Sequence, residues 1–183
     1  VGKGTVVAKS VEASNGMIYL SVSATTRAPR PIDKEGVTYF FKTKEEFEKM
    51  IENNELLEWA CYVDNYYGTP KKPVMDALYE GKDVILEIEV QGALKVKENF
   101  PEVILTFIVP PSFLELENRL RGRNTETEEQ ILKRLNTAKD EFSMIEKYDY
   151  VVENNTVEEA VSDLFSILRC EKLKKEKYEN NLI

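Results

Sequence analysis

At 183 residues with 42% apolar side chains, the chain is long enough for one domain with a substantial core, and no apolar run approaches the ~20 residues of a membrane span. A net charge of -8 excludes broad binding to nucleic acid or anionic membrane, so any anion site must be a local cluster of cations. The absence of histidine removes imidazole acid–base chemistry and histidine metal ligands, while two cysteines, Cys61 and Cys170, are too few for a disulfide framework or a zinc site and suit a reducing cytoplasm.

In chain order, Gly2 and Gly4 precede a short helix over Thr5 to Ala13, and Met17 to Val22 reads as a strand. Pro29, Pro31 and Gly36 mark a loop before a strand at Val37 to Phe41. Thr43 opens a helix, with Glu46 completing a capping box and Phe47, Met50 and Ile51 forming its apolar face. Leu56 to Val63, with an Asn65-Tyr66-Tyr67-Gly68 turn, reads as further strand, and Pro70 to Tyr79 as a helix stopped by Gly81. Asp83 to Ile88 and Val103 to Val109 are near-continuous apolar runs, the habit of parallel strands covered on both faces, with a helix from Gln91 to Asn99 between them. Ser112 with Glu115, and Thr156 with Glu159, are two further capping boxes, and Tyr148 to Val152 is a last strand. Strands alternating with helices imply an α/β fold with a parallel sheet. The different texture of residues 31–80, with short strands and clustered tyrosines, implies an inserted lobe.

Two segments carry phosphate chemistry. Gly2-Lys3-Gly4-Thr5 matches the second half of a Walker A loop, whose glycines let backbone amides close around phosphate oxygens while the following helix adds its positive end. In that reading Lys3 bridges the transferred phosphoryl group and the β-phosphate of the donor. Gly4 stands where the metal-contacting Ser/Thr is usual, so Thr5 contacts phosphate and magnesium travels with ATP. A half loop also implies upstream residues that supply a strand and a glycine-rich turn. The second segment is Ser23, Thr25 and Thr26 followed by Arg27 and Arg30, two guanidinium forks suited to phosphate oxygens and spaced by Ala28-Pro29.

From Gly2-Lys3 through Ser21-Val-Ser-Ala-Thr-Thr-Arg27 and Arg30, the chain resembles the guanylate kinase family. The resemblance continues in order through Gly36-Val-Thr-Tyr-Phe-Phe41, Glu58-Trp59-Ala60 and Asn65-Tyr-Tyr-Gly-Thr-Pro70. It extends further to Glu87-Ile-Glu-Val-Gln-Gly92, Pro110-Pro-Ser112 and Arg119-Leu-Arg-Gly-Arg123. It implies a P-loop NTPase-type α/β core of residues 1–30 and 81–183, a GMP-binding lobe of residues 31–80 and a helical lid of residues 119–140. The implied reaction moves the γ-phosphate of ATP to GMP, and to dGMP, in the cytoplasm, with Mg2+ carried by ATP.

The resemblance also implies residue roles. Arg27, Arg30, Tyr39 and Tyr67 hold the GMP phosphate. Glu58 accepts from guanine N1–H and the exocyclic amine, a pair of donors that adenine lacks, and Ser23 and Thr69 read the O6 and N7 edge. Glu87 and Glu89 are expected on one face of a strand, with Glu89 toward GMP or a metal-bound water and Glu87 orienting the arginines. Gly2, Lys3, Gly4, Thr5, Arg119, Arg123 and Asn154 fall on the ATP side, and Lys3, Arg27, Arg123 and Arg134 are the catalytic cations. Against the lid reading stands an exposed helix laced with Glu–Arg pairs through Glu115, Glu117 and Glu128. For Tyr66, core packing is the preferred reading. The alternative to a kinase is a catalytically silent guanylate-kinase-like domain that holds phosphorylated peptides in the same cleft. Monomer and homo-oligomer are equally compatible with the sequence.

Overall fold

A computed structural model describes residues 2–62, 64–122 and 127–174. In chain order these form α1 (Lys3–Ala13), β1 (Ile18–Leu20), β2 (Ala24–Thr25), β3 (Phe40–Phe41), α2 (Lys44–Glu52), β4 (Leu56–Tyr62), β5 (Asn65–Pro70) and α3 (Lys71–Tyr79). They continue as β6 (Asp83–Ile85), α4 (Val90–Asn99), β7 (Thr106–Val109), α5 (Phe113–Gly122), α6 (Glu128–Phe142), β8 (Tyr150–Glu153) and α7 (Val157–Lys172). Two compact units result, one of Val1–Ala13 with Ile104–Ile183 and one of Ser14–Val103.

In the first unit, β7 and β8 pair in parallel with Thr106 opposite Tyr150 and Val109 opposite Glu153. Val6 of α1, Val152 of β8 and Ala160 of α7 form a buried cluster, joined by Ile108, Val157, Val161, Leu164 and Ile167. The apolar stripes of α5 and α6 meet in a second cluster of Leu116, Leu120, Ile131 and Leu135, with Ala138 and Phe142 against it. Thr127 caps α6 through a complete capping box with Gln130.

The second unit holds the parallel pair β1–β6 and a four-stranded sheet in the order β3-β2-β5-β4. Its core is Phe47, fully buried, with Ala24 and Leu56 and the flanking Phe40, Met50, Ile51 and Tyr66. The Tyr66 ring stacks on Phe47 at 5.3 Å, so core packing is its role. Thr43 opens α2 with the expected capping box to Glu46.

Several expected elements differ in extent. Only Phe40 and Phe41 of the Val37–Phe41 segment are strand, because Lys34 to Thr38 is a turn in which the Val37 and Thr38 amides donate to the Lys34 carbonyl and Gly36 takes φ +71°. Asn65 to Gly68 is not a turn but part of β5, and the reversal falls before it, with Asp64 at φ +60°. β6 stops at Ile85 rather than Ile88, because its partner β1 ends at Leu20 and the Ser21 amide makes a further bond, to Ile85 O. β7 starts at Thr106 rather than Val103. At α5 the Glu115 amide donates to Ser112 Oγ, but the Glu115 carboxylate turns to Arg119, leaving half of the expected box. At α7 the Thr156 side chain accepts from the Glu159 amide, and its hydroxyl donates to the Glu159 carboxylate.

Gly68 shows why β5 needs a glycine. A Cβ there would stand 2.8 Å from Glu58 O and 3.1 Å from the Phe47 ring. Gly68→Ala is therefore expected to destabilise the protein by roughly 1–3 kcal/mol, read as a lower midpoint in urea unfolding.

Candidate active site

Arg27 and Arg30 follow β2, in a turn where the Asp33 amide donates back to the Arg30 carbonyl. The Asp33 carboxylate holds the turn from within, since Oδ2 accepts from Arg27 Nη2 at 2.9 Å and from the Arg30 amide at 2.7 Å. The Arg30 amide, then the Arg27 guanidinium, keep the Asp33 carboxyl below the ordinary range. Arg27 also donates to Ala28 O and lies over the rings of Tyr39 (5.3 Å) and Phe41 (5.8 Å). Tyr39 packs edge-on against Tyr67 at 6.1 Å. Burial, then Tyr67, raises the Tyr39 phenol, with the Glu87 charge a smaller contributor, so Tyr39 stays a neutral donor at physiological pH. One guanidinium and two phenols thus converge, with exposed Arg30 at the edge. Phe41 and Asp33 are additions to the expected set. Asp33, three residues after Arg30 in a proline-marked loop, was legible as a turn-closing acid.

A register slip builds the second cluster. Leu56 pairs with Pro70 but Trp59 pairs with Gly68, so Leu57 and Glu58 both lie opposite Thr69. This bulge keeps Leu56 and Leu57 buried and brings Glu58 Oε1 to the Thr69 hydroxyl, which donates at 2.7 Å. Glu58 is half-buried and Thr69 wholly buried. Burial pushes the Glu58 carboxyl up, the Thr69 hydrogen bond and Lys95 oppose that, and Glu89 adds to it. Ser23 is half-buried beside β2, and its carbonyl accepts from the Phe40 amide.

Glu87 and Glu89 do not share a strand face. Both are exposed in the segment after β6, and Glu89 is the N-cap of α4. The expectation failed because the run of apolar neighbours outlasts the backbone ladder that would make it a strand.

The other sequence-derived residues belong to the first unit. Gly2 adopts φ +92°, a backbone glycine favours, and Lys3, Gly4 and Thr5 are exposed in the opening turn of α1. A side chain at Gly2 would run into the amide of Asn154, which is 3% exposed. Arg119 donates to Glu115 at 2.7 Å, to Asn154 O at 2.9 Å and to Asn155 O at 3.4 Å, tying α5 to the segment after β8. Arg121 pairs with Glu117 and Glu128, so the exposed Glu–Arg lacing is present alongside the arginines assigned to a lid. Arg134 is exposed on α6. Arg123 and Asn124 lie outside the described residues.

A glycine-started helix on one α/β unit and an arginine–phenol cluster with a half-buried carboxylate on the other suit a nucleotide kinase of mixed α/β class. Comparison with known proteins agrees. The guanylate kinase family profile matches residues 1–171. A guanylate kinase of Halalkalibacterium halodurans is 57% identical over 177 residues, covering 97% of this chain and 86% of its own. That of Bacillus subtilis is 51% identical over 177 residues, covering 97% and 87%. The crystal structure of guanylate kinase from Anaplasma phagocytophilum superposes with a TM-score of 0.76 at 39% identity, covering 93% of this chain and 82% of that one. The chain belongs to the guanylate kinase family.

Proposed function

We propose that the chain transfers the γ-phosphate of ATP to GMP, giving ADP and GDP, with the residues of its two units dividing donor and acceptor duties. It is an ATP:GMP phosphotransferase, and the observation that carries its acceptor specificity is the half-buried Glu58 carboxylate on the Thr69 hydroxyl. Guanine presents N1–H and an amine to such a carboxylate, whereas adenine would leave it half-buried with the Thr69 hydroxyl but without the two base donors. Arg27, Arg30, Tyr39 and Tyr67 hold the GMP phosphate, Ser23 and Thr69 face the O6 and N7 edge, and Glu87 and Glu89 stand beside them. On the donor side, Gly2 to Thr5 cradle the ATP phosphates at the positive end of α1, and Asn154 sits at the base with Arg119.

Lys3, Arg27, Arg123 and Arg134 neutralise charge as the phosphoryl group moves, and residues 119–140 act as a lid excluding water. In this reading the core is residues 1–30 with 81–183, and the GMP lobe is residues 31–80. A phosphate oxygen of GMP is already a nucleophile, so no protein base is needed.

Among the described residues no three carboxylate or cysteine side chains gather into a metal cage. Either of two exposed oxygen donors, the Thr5 hydroxyl on the first unit or the Glu89 carboxylate on the second, suits a hard cation that arrives with its nucleotide. Bound Mg2+ would offset the β- and γ-phosphate charge. dGMP is a second acceptor, since none of the assigned contacts involves the ribose 2′-hydroxyl. A cytoplasmic location agrees with two free cysteines, and no described helix is long and apolar enough to cross a membrane. A silent peptide-binding module is disfavoured by relatives that are guanylate kinases throughout their matched length.

The test is ATP- and Mg2+-dependent phosphorylation of GMP, with AMP and UMP alongside. GDP is expected from GMP, with AMP and UMP turned over far more slowly. Binding of GMP without turnover would favour the silent module.

A further inference from the structure

We propose that α4 sets the base-reading carboxylate from behind: Gly92 clears the space that the Glu58 carboxylate occupies, and Lys95 anchors and counter-charges the strand carrying it, making both positioning residues for guanine recognition. The inference rests on Glu58 reading guanine, as proposed above.

The geometry is specific. Glu58 Oε1 is engaged by Thr69, and Oε2 stands 3.0 Å from where a Cβ on Gly92 would be, with Cδ at 3.4 Å. Glycine is disfavoured within helices relative to alanine, yet Gly92 sits buried in the first turn of α4. The carboxylate lying on its bare Cα supplies the physical reason. An alanine would press the carboxylate away by a few tenths of an ångström, against the pull of Thr69. Lys95 lies one turn further along α4, and its ammonium donates to the Trp59 carbonyl at 3.3 Å and lies 5.9 Å from the indole centroid. It is thereby pinned to the residue that follows Glu58 in the bulge.

The groups acting on the Glu58 charge are then Thr69 from β5, Lys95 from α4 and Glu89 at the α4 N-cap. Thr69 and Lys95 favour the carboxylate, while burial and Glu89 oppose it.

Guanine donors need Glu58 ionised, so GMP use falls as pH drops through the Glu58 pKa. Removing the Lys95 charge raises that pKa and moves the acid limb toward neutrality. The experiment is the pH profile of kcat/KM for GMP at saturating ATP, from about pH 4 to 8.5, so that the acid limb is covered from the ordinary carboxyl range upward. GMP's own phosphate titrates in this range, but identically for every variant, so differences between profiles report on the protein. Lys95→Met is expected to shift the acid limb up by about half a pH unit, Lys95→Arg to restore it, and neither to change KM for ATP. Gly92→Ala is expected to raise KM for GMP about fivefold with an unaltered thermal midpoint.

Superposed profiles for wild type and Lys95→Met would overturn the role of Lys95. An unchanged KM for GMP in Gly92→Ala would overturn that of Gly92. Glu58→Gln separates the levels: if it leaves KM for GMP unchanged, the reading of Glu58 itself falls. If it raises KM while both α4 variants match wild type, only the role of α4 falls.

Discussion

Glu58→Gln is expected to lower kcat/KM for GMP by a factor on the order of 10²–10³ while leaving KM for ATP within about twofold. Guanine offers two adjacent donors, and a carboxylate can accept from both. A glutamine turns one oxygen into an NH2 donor that faces a guanine donor, so a charge-assisted bond is lost and a donor is left opposed. The half-buried setting magnifies the loss, because little water can fill in for the missing acceptor. The Thr69 hydroxyl, donating at 2.7 Å, can still bond to the Gln carbonyl oxygen, so the bulge and β4–β5 pairing should persist. Steady-state kinetics with GMP and AMP, beside a thermal melt, checks this. A selectivity for GMP over AMP equal to that of wild type would contradict it.

Arg27→Lys carries the second large effect, an expected loss of about 30-fold in kcat/KM for GMP with ATP affinity little changed. Arg27 is held in place before any phosphate arrives, by Asp33 at 2.9 Å, the Ala28 carbonyl and the faces of Tyr39 and Phe41. That preorganisation leaves a planar fork aimed among the phenols. A lysine keeps the charge but presents a single point donor, without the fork that can bond Asp33 and a phosphate oxygen together. Isothermal titration with GMP and with ATP separates the two affinities. Equal losses for both nucleotides would place Arg27 in the wrong site.

Much of this chemistry was legible in the chain. Thr43 and Glu46 announce the start of α2, and Gly81 its counterpart at the end of α3, because caps and positive-φ glycines act on amides a few residues away. Arg27, Arg30 and Glu58 could be singled out by motif order, since the proposed phosphate fork and guanine acceptor each demand one side-chain type. The extents of strands were less legible. Apolar content extends from Asp83 to Ile88, but the ladder stops at Ile85 because β1 runs out of residues, and that length lies on another segment of the chain. The same blindness turned Asn65 to Gly68 into a turn. Gly68 looks like a turn former in isolation, whereas its bare Cα is needed for the approach of Glu58 O and the Phe47 ring.

Determined by the sequence itself were the family and the reaction, together with the starts of the capped helices at Thr43 and Thr156. Each depends on local backbone preference or on functional groups recognisable one at a time. Left to the tertiary structure were the bulge that sets Leu57 and Glu58 opposite Thr69, the Asp33 latch on Arg27, and the placement of Gly92 and Lys95 behind Glu58. Those features are contacts between segments distant in the chain. Their energy comes from packing and burial that exist only once strands and helices meet, so no window of sequence contains them.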